Sequence, residues 1–221
     1  MEKGDFVLVD YVGRLESGEV FDLTKEDIAK EEKIYSSSIK YRPVTVVVGA
    51  GFVIPGMENV LLTMKVGETK HVEIEPQDAF GQRNPEMIKT VNSKIFKERD
   101  VDPKPGMIVD FSGLKGRIQS ASSGRVTVDF NNPLAGKKLV YDIEAKKKLV
   151  EPKEQIIALM EFFGKEKATV SISGGVAEIE SDLPKEMNVR AATAILQHVK
   201  PEGAALVKVK FTQTFEAKTN Q

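Results

Sequence analysis

Three short segments hold the side chains best placed to do chemistry in this sequence. Tyr11-Val12-Gly13 runs on to Gly18-Glu19-Val20-Phe21-Asp22, then comes Phe52-Val53-Ile54-Pro55-Gly56-Met57, then Ala79-Phe80-Gly81. Each sets aromatic or aliphatic side chains beside a glycine or proline turn. That is the make-up of a lined apolar pocket, whose chemistry is non-covalent: it binds, orients and excludes water. The rest of the sequence offers no obvious nucleophile or phosphate loop, and Ser173-Gly174-Gly175 is too short to be one. There is no cysteine, which excludes disulfides, thiol catalysis and cysteine-ligated zinc. His71 and His198 stand far apart, and the carboxylates show no calcium-loop spacing, so neither a metal nor a cofactor is expected.

The elements that must position these side chains can be read in turn. Phe6 to Val12 alternates, with Val7, Val9 and Tyr11 on one face, and predicts a strand. Glu16-Ser17-Gly18-Glu19 is a turn, and Val20-Phe21 opens the next strand. Thr24 is expected to cap a short charged helix over 25–33. Val44 to Val48 is a β-branched strand. Pro55-Gly56 opens a helix with Met57, Val60, Leu61 and Met64 on one face, and Lys70 to Glu75 alternates as a strand.

After Gly81 the texture changes. Asn84-Pro85, Asp102-Pro103 and Lys104-Pro105-Gly106 punctuate the chain. Short strands are expected at 107–111, 115–120 and 125–130, the last two joined across Ala121-Ser122-Ser123-Gly124. This block, 84–131, reads as a small β-rich module inserted into the first domain. Asn131 to Gly136 leads back to a completing strand, 138–144. A third unit begins near Glu151-Pro152: a helix through Ile156, Leu159, Met160 and Phe163, strands 168–173 and 176–180, a helix through Val189, Ala192, Leu196 and Val199, and a final alternating strand from Leu206 to Phe215.

The three segments, in this order, resemble the FKBP-type peptidyl-prolyl isomerases, and the match runs over 1–83 and 132–150. The resemblance implies an α+β fold: an antiparallel sheet wrapped on a short helix, carrying an inserted β-rich domain and a C-terminal α+β domain. The implied division is 1–83 with 132–151, then 84–131, then 152–221. Tyr11, Phe21, Val53, Ile54, Met57, Phe80 and Tyr141 match positions that line the family's proline pocket. Asp22 matches the acidic residue beside it, and Val44 a wall position. Phe21 and Tyr141 would flank the pyrrolidine ring, Ile54 would offer its backbone N–H to a substrate carbonyl, and Tyr11 would pair with Asp22. Two positions depart from the common pattern: Met57 stands where tryptophan is frequent, and Phe80 where a tyrosine hydroxyl is frequent. Both keep the pocket apolar, and both weaken the expectation of tight macrolide binding.

The implied reaction fits such a pocket. An X–Pro bond turns over a barrier of ~18–20 kcal/mol. The twisted imide at the top has less charge separation than the planar form, so a dry apolar surface favours it. A thousandfold acceleration asks for only ~4 kcal/mol of differential stabilisation.

The insert resembles the insert-in-flap module of the SlyD-like and archaeal long-type branch, which binds unfolded chains. Leu134 falls in that branch's return segment. Ile88, Val91, Ile95, Phe96, Val101, Met107 and Leu114 are the module's apolar candidates, some for its own core and some for clients. The third domain resembles the C-terminal unit of the long-type members and implies a homodimer through 152–221. An alternative reading is a holdase with little or no isomerase activity, built on the same body. The net charge of −1 and the lack of a stacked-aromatic, arginine-rich strand speak against nucleic acid. The longest apolar run, 44–54, is too short to span a bilayer, and the N-terminus lacks the apolar core of a signal peptide. The expectation is a cytoplasmic isomerase and chaperone acting on unfolded or proline-containing polypeptides.

Overall fold

A computed structural model describes residues 1–201 and 205–214. The chain falls into two compact units, Met1–Glu73 with Val140–Gln221, and Ile74–Leu139. Among the described residues no helix is long and apolar enough to cross a membrane.

The first unit opens with strand β1 (Phe6–Leu15), followed by β2 (Val20–Leu23). Gly13 pairs with Asp22 and Arg14 with Val20, so Phe21 is the extra residue of a bulge. A bulge turns its side chain out of the strict alternation, and here that residue is an aromatic. The helix expected over 25–33 is shorter, α1 (Glu26–Glu31), and Lys25 rather than Thr24 precedes it. Thr24 has another task. Its hydroxyl donates to the buried Asp10 carboxylate at 2.8 Å and accepts the Tyr11 N–H at 2.9 Å. A carboxylate out of water needs a donor, and Thr24 supplies it. Strand β3 (Val44–Val47) pairs antiparallel with the first half of β1. Helix α2 (Pro55–Thr63) starts at a proline whose missing N–H costs nothing there, and β4 (Thr69–Ile74) follows.

In the second unit a 3-10 turn at Pro76–Asp78 leads to Phe80. Another, Pro85–Met87, is capped by Asn84, whose side chain accepts the Glu86 N–H at 2.8 Å. Then come β5 (Ile88–Asn92), a single turn α3 (Lys94–Lys97), β6 (Ile108–Phe111), β7 (Leu114–Ser122) and β8 (Arg125–Asp129). They make an antiparallel sheet in the order β5-β8-β7-β6. The sequence reading had the last three strands and missed β5 and α3, which are short and carry only two apolar residues each among polar ones. Phe96, Ile118, Val126 and Val128 form the core of this unit. The entry and exit of the sheet are tied together: the Asn84 N–H donates to Asn131 Oδ1 at 2.8 Å, and Asn131 Nδ2 donates to the Asn84 carbonyl at 3.0 Å and to Asp129 at 2.8 Å. Arg83 forms an ion pair with Asp129 beside them.

The chain returns through β9 (Leu139–Leu149), giving a sheet ordered β2-β1-β9-β4 with β3 also on β1. Helix α4 (Pro152–Phe162), the hairpin β10 (Val170–Ser173) and β11 (Val176–Glu180), α5 (Lys185–His198) and β12 (Lys208–Thr212) complete the unit in the expected order. The strand expected to run to Phe215 is described only to Thr212, and Phe215 itself lies outside the described residues. Because α5 crosses between them, β12 lies parallel to β11, at the outer place of a sheet that has three strands among the described residues. This region shares one core with the first strands: Phe6 and Val47 pack with Leu149, Ile156, Leu159, Met160, Ile179 and Ile195. The second face of β1 is therefore covered, which explains why Phe6 and Val7, adjacent in sequence, are both fully buried.

Candidate functional site

Tyr11 comes from β1, Phe21 and Asp22 from β2, and Tyr141 from β9. The Tyr11 hydroxyl donates to Asp22 Oδ2 at 2.8 Å. The Tyr141 ring stands edge-on to both neighbours, 5.7 Å from Phe21 with the planes at 88° and 5.9 Å from Tyr11 at 62°. Edge-to-face packing of this kind is worth ~0.5–1.5 kcal/mol per pair beyond the area buried, and it fixes ring orientation. The Tyr141 ring is buried.

Gly13 makes room for this arrangement, and sequence reasoning gave it no role. A Cβ at that position would sit 2.8 Å from Phe21 Cζ and 2.9 Å from Tyr141 Cε1. Its backbone is not in the left-handed region, so the requirement is steric and not conformational. The only sequence signal was its spacing: two residues after Tyr11 on a strand, hence on the same face.

Burial, and then the Asp22 carboxylate, raise both tyrosine hydroxyls well above the ordinary value of 10.0. Each phenol therefore stays protonated, with Tyr11 committed to Asp22. The consequence for pH is direct. A raised pKa moves loss of the proton to higher pH, so kcat/KM on an X–Pro peptide should show no tyrosine-dependent fall up to pH ~10. A limb with a midpoint near 8 or 9 that vanishes in Tyr141→Phe would contradict this.

Val53 and Ile54 lie on the loop ahead of α2. Ile54 is the residue before the helix, with φ −60° and ψ 150°, and its carbonyl accepts the Glu58 N–H at 3.1 Å. The Ile54 N–H donates to no acceptor among the described residues. Met57, one turn on, is buried, and Val44 opens β3, paired with Val9.

Glu58 is the second residue the sequence did not single out. Its side chain is buried, and Oε1 accepts the Gly51 N–H at 2.8 Å and the Phe52 N–H at 3.2 Å. It thereby holds the loop that carries Phe52, Val53 and Ile54. An acidic residue near a helix start is common for reasons of the helix dipole, so its type alone could not reveal this reach. Glu58→Ala leaves two backbone donors without their acceptor and frees the loop. It should lower kcat/KM on a short peptide about tenfold, whereas Glu58→Gln, which keeps an acceptor oxygen, should retain most of it. Exchange NMR on the two variants checks this, and equal rates in both would remove the positioning role.

Phe80 and Leu134 belong to the second unit. Phe80 follows the 3-10 turn, where the Gly81 N–H donates to the Pro76 carbonyl at 2.7 Å. The Leu134 N–H donates to Asn132 Oδ1 at 2.8 Å. Of the module's apolar candidates, Phe96 is only 3% exposed and belongs to its core, with Val91, Val101 and Met107 packed against it. Ile88 and Ile95 are half-buried. Leu114 is 50% exposed, and Ile108, which the sequence reading passed over, is 64% exposed. Ile95, Val101, Met107, Ile108, Val109 and Phe111 line a cavity of ≈ 400 Å³ on this unit.

Residues 1–146 match the family model of the FKBP-type peptidyl-prolyl cis-trans isomerases, and the chain belongs to that family. A short-type peptidyl-prolyl cis-trans isomerase of Methanocaldococcus jannaschii is 38% identical over 154 residues, which is 70% of this chain and 96% of that protein. A probable FKBP-type 16 kDa isomerase of Pseudomonas fluorescens is 32% identical, covering 62% of this chain and 85% of its own. The FKBP-type isomerase SlyD of Helicobacter pylori is 29% identical over 113 residues, 49% of this chain and 60% of that protein.

Proposed function

We propose that this protein rotates X–Pro bonds of polypeptides in the pocket formed around Tyr141 and holds unfolded clients on the module 84–131. The observation that carries the reading is the edge-on grouping of Tyr11, Phe21 and Tyr141 over a glycine that clears space for two of the rings. No nucleophile or proton relay is needed. The substrate proline enters among apolar rings, the imide loses its water, and the less polar twisted form gains relative to the planar one. The Ile54 N–H takes a substrate carbonyl, and the Tyr11–Asp22 hydrogen bond holds one side of the site in place. Phe21 and Tyr141 flank the pyrrolidine, with Val44, Val53 and Met57 contributing apolar surface.

The client surface is the cavity on the second unit, where Met107 and the exposed Ile108 join a wall that includes Phe96 and Phe111. A client held there presents its prolines to the pocket at raised local concentration. Pairing of two copies through the region after Pro152 is supported by the outer place of β12 in its sheet.

Competition tests the two-part reading. A permanently unfolded, proline-free chain should inhibit catalysis of a proline-limited refolding reaction while leaving turnover of a short peptide nearly unchanged. Equal inhibition of both would mean a single site, and no inhibition of either would remove the client surface.

A further inference from the structure

A second apolar cleft lies in the first unit, and the isomerase reading makes no use of it. Phe52, on the loop ahead of α2, is 4.8 Å from the Phe162 ring at the end of α4 and 6.3 Å from the His198 ring at the end of α5. Phe162 in turn packs edge-on to Phe163 at 5.3 Å. With Val189 and Ala194 these side chains line a cleft of ≈ 380 Å³. Phe162 is 47% exposed and Val189 56% exposed, so the apolar lining is accessible to a ligand. The floor is held in place, because Phe52 packs against the shared core and its N–H is bound by Glu58.

The occupant follows from the chain's own geometry. Phe52 precedes Ile54 by two residues, a span of at most ~7 Å. A peptide whose carbonyl sits on the Ile54 N–H advances ~3.3 Å per extended residue, so two or three residues bring a flanking side chain to Phe52. A single apolar side chain of aromatic size suits a cleft of this volume and lining. Burial, and then Lys200, lower the His198 pKa, which keeps that wall uncharged at neutral pH. Arg190 also lines the cleft and disfavours a lysine there.

We propose that the Phe52–Phe162–Val189 cleft binds an aromatic or large aliphatic side chain two or three residues from the target proline, so that the region after Pro152 sets a sequence preference for the isomerase. The inference rests on the reading of the Ile54 loop as part of the proline site.

The test uses the full-length protein and a family of short X–Pro peptides with phenylalanine or serine at each of the three positions on either side of the X–Pro pair. Kd is read by titration in NMR, and exchange on the serine peptides is read in the same samples. At one or two of these positions phenylalanine should bind about tenfold more tightly than serine. In Val189→Glu and in Phe162→Ser that ratio should fall to about twofold or less. Two variants on different helices guard against one of them failing to fold. Equal Kd values for phenylalanine and serine at every position, or an intact ratio in both variants, would overturn the proposal. Exchange without any preference overturns the cleft alone. A preference without exchange supports the cleft and removes the isomerase reading beneath it. Loss of the preference on dilution, together with a concentration-dependent mass, would assign the cleft to a second copy of the chain and overturn the substrate role.

Discussion

Tyr141→Ala is expected to cut kcat/KM on a short X–Pro peptide about a hundredfold. The ring is the common partner of Phe21 and Tyr11, at 5.7 and 5.9 Å, so its loss leaves both without the surface that orients them. A misplacement of ~1 Å at a reacting centre can cost about a hundredfold by itself. Stability must be followed alongside, because truncating a buried aromatic typically costs ~3–5 kcal/mol. The companion variant avoids that ambiguity. Gly13→Ala adds one methyl group, removes nothing, and forces both rings away from contacts that would be 2.8 and 2.9 Å. Overpacking of this kind costs ~1–3 kcal/mol, and turnover should fall at least tenfold in protein that is still folded. Activity close to wild type in Gly13→Ala would mean that ring placement does not set the rate.

Removing residues 84–131 should leave short-peptide turnover within about twofold of the intact protein and slow catalysis of a proline-limited refolding reaction by tenfold or more. The size of the second effect follows from local concentration: a held client meets the pocket at an effective millimolar level instead of its bulk level. The cut is placed where the chain itself closes. Asn84 and Asn131, the two ends of the deleted stretch, are hydrogen-bonded to each other at 2.8 and 3.0 Å, so the flanking Arg83 and Asn132 are close enough to be joined by a short glycine-containing turn. Parallel losses on peptide and protein substrates would argue against a separate client surface.

The relation between sequence and structure differs from element to element. The strand-turn-strand of 6–23, the proline start of α2 and the Ser173-Gly174-Gly175 hairpin were legible because local chemistry alone decides them. β5 and α3 were not, since two short polar-rich elements stand only by packing on Ile118, Val126 and Val128. Thr24 looked like a helix cap, and the buried Asp10 across the sheet claimed it instead. At the site, the aromatic types and their order announced a pocket. Gly13 and Glu58 did not announce themselves, because their roles exist only once Phe21, Tyr141 and the 51–54 loop are in place. The bulge that turns Phe21 belongs to the pairing of β1 with β2 and has no signature in either strand alone.

Exchange NMR on a short X–Pro peptide with the intact protein reads rotation of the bond itself, without a coupling protease. Acceleration of about a thousandfold is expected at saturating enzyme, equivalent to ~4 kcal/mol, falling about a hundredfold in Tyr141→Ala and at least tenfold in Gly13→Ala. No acceleration from folded protein, or acceleration left undiminished by both substitutions, would contradict a catalytic pocket around Tyr141.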